Sequence, residues 1–397
     1  MPQGPRNTKH ATRDTQHGTS NSRLVNPMTQ LKYWVGFNRV RGIGPVRLQR
    51  LLDVFGDAET AWQAAPLDLA RTGLDRKTLQ NLLALRDTLD LEAEMARIER
   101  AGAHVLTLLD DDYPRLLRQI QQPPPLLYVR GTYTAADDFA VAIVGTRHVK
   151  AAGLEVTRYI AGDLARNHVT VVSGLARGID TQAHVSALEA GGRTLAVLGS
   201  GVDVIYPYEN AALAEQIAAQ GALITEYPLG TQPERCNFPP RNRIISGLAL
   251  GTLITQAGEG SGALITANFA LEQGREVFAV PGSALDRGWS GNNRLLQRGE
   301  AKLVLRARDV LEELNLTMVS QQAEVRAVVP ENATEALLLK HLSEEPLHVD
   351  ELGRASGLPI AQVTSTLALM ELKGLVRQTA GMNYVLAREA SAPYRVE

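Results

Sequence analysis

The chain has 397 residues, 44% of them hydrophobic, and a formal net charge of −2. That length allows two to four domains with cores of their own, and the near-neutral balance excludes a protein that holds nucleic acid by bulk charge alone. No apolar run approaches the ~20 residues of a membrane span, and no apolar segment near the N-terminus marks a secretory leader. The single cysteine, Cys236, excludes an internal disulfide and a cysteine-rich zinc site. A cytoplasmic protein is expected. Of the 41 basic residues, 34 are arginine. Arginine suits phosphates and stacks on bases, but codon bias alone produces such an excess, so position has to decide its meaning.

Residues 1–28 carry few apolar side chains and no periodicity, and are expected to form a disordered tail. Residues 29–105 repeat apolar positions at helical spacing, as in Leu31, Trp34 and Val35 and again in Leu48, Leu51, Leu52 and Phe55. A small helical domain is expected there. The Gly42-Ile43-Gly44 turn between two of its helices reads either as the hairpin of a helix-hairpin-helix unit, of the SAM-like kind, or as a plain interhelical turn. Pro123, Pro124 and Pro125 cannot sit inside a helix or central strand, so the stretch around them is a rigid connector flanked by a short strand or two.

Across 106–315 short β-rich runs alternate with helical ones. The strands are expected at 139–144, 169–172, 194–198, 222–225, 252–255, 277–280 and 302–305. Nearly all their residues are apolar, which fits strands covered by helices on both faces. The expected fold is therefore α/β, a Rossmann-like and mostly parallel sheet. Residues 316–330 read as a linker, 331–388 as a winged-helix domain of three helices and a hairpin, and 389–397 as a tail.

Ligands of open α/β sheets bind beyond the carboxyl ends of the strands. The residues just after each strand are Gly145-Thr146-Arg147-His148, Ser173-Gly174-Leu175-Ala176-Arg177-Gly178, Gly199-Ser200-Gly201, Phe238 through Arg243, Gly258 through Gly262, and Pro281-Gly282-Ser283. Glycine admits close backbone approach, helix starts bind anions, and arginine adds paired contacts to phosphate oxygens. An anion site at one rim of the sheet follows. It is neither a dinucleotide fingerprint nor a P-loop, since both glycine patterns are absent. No nucleophile–base pair and no metal-ligand spacing stands out. Asp180 reads as a helix cap, and His184 as a packed or capping histidine.

These motifs, together with Ile179-Asp180, Ala183-His184, Tyr206-Pro207, Glu209-Asn210, Ile244-Ile245, Leu264-Ile265-Thr266 and Val280, resemble the DNA-processing protein A family (DprA, also called Smf) over residues 110–305. The resemblance implies a homodimer that binds single-stranded DNA, protects it and loads the RecA recombinase in natural transformation or homologous recombination. A single-strand binding protein is a further candidate partner. It implies a binder that needs no cofactor and no metal, and not an enzyme. The DNA-binding residues it implies are Gly145, Arg147, Ser173, Gly174, Arg177, Gly178, Phe238, Arg241, Asn242, Arg243, Ser261 and Gly262. Arg147, Arg177, Arg241 and Arg243 are expected on phosphates, with the backbone amides after Ser173 as uncharged donors and Phe238 stacking a base. Two positions depart from the family pattern: Gln256 stands where Glu is frequent, and Glu300 where Ala is usual. Within 331–397 six basic residues face nine acidic ones, so the winged helix is expected to serve structure or protein contact rather than duplex binding. Two rival readings are a nucleotide-binding hydrolase on the same fold, with Glu226 or Asp203 as acid or base, and a pure interaction scaffold.

Overall fold

The structure is a computed structural model that describes residues 27–316, 333–342, 346–372, 376–379 and 382–386. The expected tail lies outside these residues except for Pro27 and Met28, which open the first helix. The expected linker lies outside them except for Leu316, and residues 389–397 lie outside them altogether.

Six helices come first: α1 (Pro27–Arg39), α2 (Pro45–Phe55), α3 (Ala58–Gln63), α4 (Pro66–Arg71), α5 (Arg76–Arg86) and α6 (Leu91–Arg100). Aspartates start three of them. Asp57, Asp75 and Asp90 accept hydrogen bonds from the amides of Thr60, Thr78 and Ala93, satisfying donors that the helix leaves free. Proline at the first position starts α2 and α4. Their apolar faces meet in one core, in which Phe37 and Trp62 lie edge to face at 5.1 Å. That core continues onto the sheet through Tyr128, Ala196, Leu198 and Leu223. Asn38 donates to the carbonyl of Glu226 and accepts from the Tyr128 hydroxyl at the same junction.

The sheet has nine strands in the order β1-β2-β6-β5-β4-β3-β7-β8-β9. They are β1 (Ala103–Thr107), β2 (Leu126–Gly131), β3 (Ala140–Val144), β4 (Thr170–Ser173), β5 (Thr194–Val197), β6 (Ala222–Thr225), β7 (Gly251–Ile254), β8 (Glu276–Ala279) and β9 (Lys302–Leu303). From β6 through β9 every pairing is parallel, as the apolar runs predict, while β1 and β2 extend one side antiparallel. The proline-rich connector thus contributes a buried strand, β2, and a short helix, α7 (Arg115–Arg118), before it. Alternation along each strand splits the interior into two faces. Val141 and Ile143 pack with α8 (Ala151–Arg166), α9 (Ile179–Glu189) and α14 (Ala307–Glu313). Ala140, Ala142 and Val144 pack with α11 (Phe238–Gly247), α12 (Ala263–Glu272) and α13 (Ser290–Gln297), and α10 (Ala211–Gln220) joins the core of the N-terminal helices.

Strand order reverses at β3, which has β4 on one side and β7 on the other. This is the topological switch point, where the loops leaving β3 and β7 turn to opposite faces and open a crevice. Asn292 holds the far wall of that crevice. It is fully buried, accepts from the Ala257 amide at 2.7 Å and donates to the carbonyls of Ile254 and Val280 at 2.8 Å, tying the ends of β7 and β8 together.

The C-terminal region has the winged-helix arrangement. Helices Ala333–His341, Val349–Ser356 and Ile360–Leu372 pack around Leu338, Leu352, Val363, Leu367 and Met370. A three-stranded antiparallel sheet, β10 (Leu347–His348), β12 (Asn383–Leu386) and β11 (Val376–Thr379), completes it. Gly357 ends the middle helix at φ +69°, a left-handed cap that glycine adopts without strain.

Candidate nucleic-acid interface

A cleft of about 860 Å³ lies at the switch point, walled by the loops after β3 and β7 and by the start of α11. Among the expected site residues, Gly145, Arg147, Phe238, Arg241, Asn242, Ser261 and Gly262 line it. Gly174 and Arg177 line a small recess beside it, which shares Arg147 and Phe238. Ser173, Gly178 and Arg243 line neither.

Much of the glycine at this rim serves packing inside the protein rather than approach by a ligand. A Cβ on Gly145 would lie 2.4 Å from Ile179, one on Gly178 would lie 2.4 Å from the Thr146 carbonyl, and one on Gly174 would lie 2.6 Å from the Arg241 guanidinium. The expectation of open backbone holds instead at the loop after β7: a Cβ on Gly260 or Gly262 would meet nothing within 4 Å. The amides after Ser173 are likewise not free donors. Those of Gly174 and Ala176 donate to the Asp180 carboxylate at 3.2 and 3.4 Å, and the Ser173 hydroxyl donates to the Ile143 carbonyl at 2.6 Å. Asp180, the second residue of α9, thus caps the preceding loop rather than its own helix.

The four arginines divide by position. Arg147 is exposed and has no carboxylate partner among the described residues; its guanidinium lies 5.5 Å from the centre of the Phe238 ring. Arg177 is exposed but paired with Glu209. Arg241 is buried beneath the cleft, where one nitrogen donates to the carbonyls of Gly174 (2.8 Å) and Val197, at the ends of β4 and β5. Burial pulls the Arg241 guanidinium down to about 10, against the pull of Asp180, and it stays charged at neutral pH. Arg243 points elsewhere, paired with the half-buried Glu226 at 2.6 Å. Arg241 lies beneath the cleft and Arg243 is paired with Glu226, so neither stands open to a ligand as Arg147 does. Residues two apart on an α-helix lie about 200° apart, so α11 cannot aim both into one cleft.

Phe238 is half-buried. Its ring covers Gly199, where a Cβ would lie 2.8 Å away, and meets the Tyr206 ring at 5.8 Å and 43°. Asn242 sits at the cleft edge, 3.5 Å from the Gly262 carbonyl. His148, Tyr206 and Thr266, which the motifs contain without an expected binding role, also line the cleft, and so does Arg235, which sequence reasoning missed. Arg235 is exposed, lies in the turn just before α11, and has no carboxylate partner among the described residues. Its spacing of three residues from Phe238 was the available signal.

Among the described residues the only carboxylate lining the cleft is Asp180, which burial pushes up to about 6 while Arg241 and the two amides oppose. Glu226 is engaged by Arg243, and Asp203 accepts from the Gly230 amide at 2.8 Å and pairs with Arg97 at 3.4 Å. Neither faces the cleft, which leaves the hydrolase reading without the acid or base it named. His184 is a packed residue, as expected: it is buried beside the Thr194 hydroxyl at 2.7 Å, and burial holds its ring down at about 3.

Residues 104–315 match the family of the DNA recombination-mediator protein A, and residues 322–382 match the DprA winged helix domain. The chain belongs to the DNA recombination-mediator protein A family. It is similar to Protein Smf of Synechocystis sp., 36% identical over 89% of this chain and 98% of that one. It is also similar to Protein Smf of Escherichia coli, 36% identical over 87% of this chain and 96% of its relative. The crystal structure of DNA processing protein A from Streptococcus pneumoniae, 35% identical, superposes with a TM-score of 0.63 over 71% of this chain and 97% of that one.

The raised Asp180 carboxyl makes a pH-dependent prediction. A folded state that binds this proton more tightly than the unfolded chain is stabilised by it fully below about pH 4, and loses that stabilisation as pH rises past about 6. Urea titrations across this range should show the wild type losing stability relative to Asp180→Asn as pH rises. A difference that does not change with pH contradicts the assignment.

Proposed function

We propose that this protein binds single-stranded DNA in the cleft at the switch point, as a binder and not as an enzyme. The observation that carries this reading is the pairing of an exposed guanidinium with no carboxylate in contact, Arg147, with the Phe238 ring at the mouth of the cleft. An unpaired strand offers what these groups take: phosphates for Arg147 and Arg235, and base faces for Phe238 and Tyr206. Duplex bases are stacked on one another and hide those faces, whereas single-strand grooves combine cationic tracks with aromatic platforms. The open space at Gly260 and Gly262 lets a phosphate come close to the opposite wall. Few side chains here meet base edges, so sequence preference is weak.

The winged helix supplies no rival track. Its third helix, IAQVTSTLALMEL, contains no cation, and its role in this reading is structure or protein contact. We further propose that the protein hands its strand to the RecA recombinase, the finer sense of recombination mediation. It does so as a homodimer joined at β9. That strand is the sheet edge, and Leu303 and Leu305 are 55% and 63% exposed on it and just beyond it. A dimer presents two clefts and gains avidity on long strands.

Two measurements test this reading. In oligonucleotide titrations at several salt concentrations, Arg147→Ala should weaken single-strand binding about tenfold and lower the salt slope by about 0.7, the value of one lost phosphate contact. The same variant should fail to stimulate recombinase filaments on strands coated by a single-strand binding protein. An unchanged affinity and slope overturns the cleft as the binding site. In light scattering, the wild type should be dimeric and the double variant Leu303→Arg, Leu305→Arg monomeric; a variant that stays dimeric overturns the β9 contact.

A further inference from the structure

The loop between β8 and α13 holds a leucine in an unusual setting. Leu285 is 97% exposed, yet the turn that carries it is firmly fastened. Asp286 donates its amide to the Ser283 carbonyl at 3.0 Å, accepts from the Gly288 amide at 2.8 Å, and holds the Lys150 ammonium at 2.7 Å. Asn293 grips Gly282 from both sides, accepting from its amide at 3.2 Å and donating to its carbonyl at 3.0 Å. Trp289, buried, packs against Gly282 so closely that a Cβ there would lie 2.2 Å from the indole. A leucine on such a turn has no route to bury itself by folding back.

The turn is also part of the rim. The Arg287 carbonyl lies where a Cβ on Gly258, a cleft-lining residue, would sit 3.0 Å from it. Lys150 joins the turn to the loop after β3, which carries Arg147. Arg287, two residues past the tip, is exposed and has no carboxylate partner among the described residues. Leu285 itself lies beside the cleft, on a turn that meets its wall at Gly258 and is tied by Lys150 to the loop after β3. Leu285 combines near-full exposure and a clamped backbone with an exposed cation, Arg287, two residues away, on a turn beside the cleft.

We infer that this turn is a second subsite for the nucleic-acid strand, in which Leu285 packs against an unstacked base and Arg287 meets the adjoining phosphate. The inference rests on the reading of the cleft as a single-strand site and extends its footprint past the loop after β7. Apolar side chains act in this way elsewhere, as wedges set between bases that the protein has unstacked, and a rigid mount keeps the ordering cost of such a contact low. Because the subsite lies beside the cleft and not in it, only a strand long enough to leave the cleft reaches the turn.

The test is a length series read by fluorescence anisotropy on the full chain, with oligothymidylates of about 6 and about 20 nucleotides, spanning the usual footprint of such sites. The variants are Leu285→Ser, Arg287→Ala and Arg147→Ala. Leu285→Ser should bind the short strand as the wild type does and the long strand about fivefold more weakly. Arg287→Ala should share that length dependence and lower the salt slope on the long strand only. Circular dichroism of the Leu285→Ser variant should match the wild type, since the side chain touches no core. Unchanged binding of the long strand by both turn variants overturns the inference. In that case a loss on both lengths in Arg147→Ala keeps the cleft reading intact, whereas a wild type that retains no oligonucleotide overturns both.

Discussion

A buried cation organises the rim of this sheet. Arg241 lies under the cleft and bonds the carbonyls at the ends of β4 and β5. A charge in that position is costly unless its donors are met and an opposite charge is near. Here the two carbonyls meet two of its donors, and Asp180, which in turn gathers the amides of Gly174 and Ala176, supplies the counter-charge. The glycine at position 174 exists in this arrangement because a side chain would collide with the guanidinium. The surface that Phe238 rests on, with Arg241 5.8 Å below its ring, is therefore a fixed polar knot and not a mobile loop. Exposed groups such as Arg147 can then act on a ligand from a rigid base, with little ordering left to be done on binding.

The division of labour among the arginines follows from that knot. A buried guanidinium cannot also serve solvent, and α11 can present only one of Arg241 and Arg243 to the sheet's rim. Arg243 instead pairs with Glu226 at the end of β6. The groups left open to a ligand are few, and they stand where the strand order reverses, so the crevice has the shape that the fold dictates and the charge that two loops supply. The net charge of the whole chain, −2, has no bearing on this local field.

Most of the α/β core was legible in the sequence because strands buried on both faces must be apolar throughout. Val141 to Val144 and Leu195 to Val197 have no other reading. The rim itself was legible too, since Gly, Ser and Arg recur after successive strands. What the sequence could not disclose was how each of those residues spends its hydrogen bonds. Ser173 and the amides after it look like anion donors until Ile143 and Asp180 are seen to take them. Gly145 and Gly178 look like openings until Ile179 and the Thr146 carbonyl fill them. Short strands flanking the prolines were expected, but not that β2 joins the main sheet antiparallel to β6, and Arg235 was hidden in a loop without periodicity. The helical phase of α11 was available in principle, as the spacing of Arg241 and Arg243 places them on opposite sides.

The central claim is spatial: a single strand lies at the switch point, between the loops after β3 and β7. Photocrosslinking of a thymine-substituted oligonucleotide, followed by peptide mapping of the adducts, tests it most directly. The account places the adducts on the segments that carry Arg147, Phe238 and Ser261. Adducts confined to the winged helix or to the N-terminal helices would contradict it.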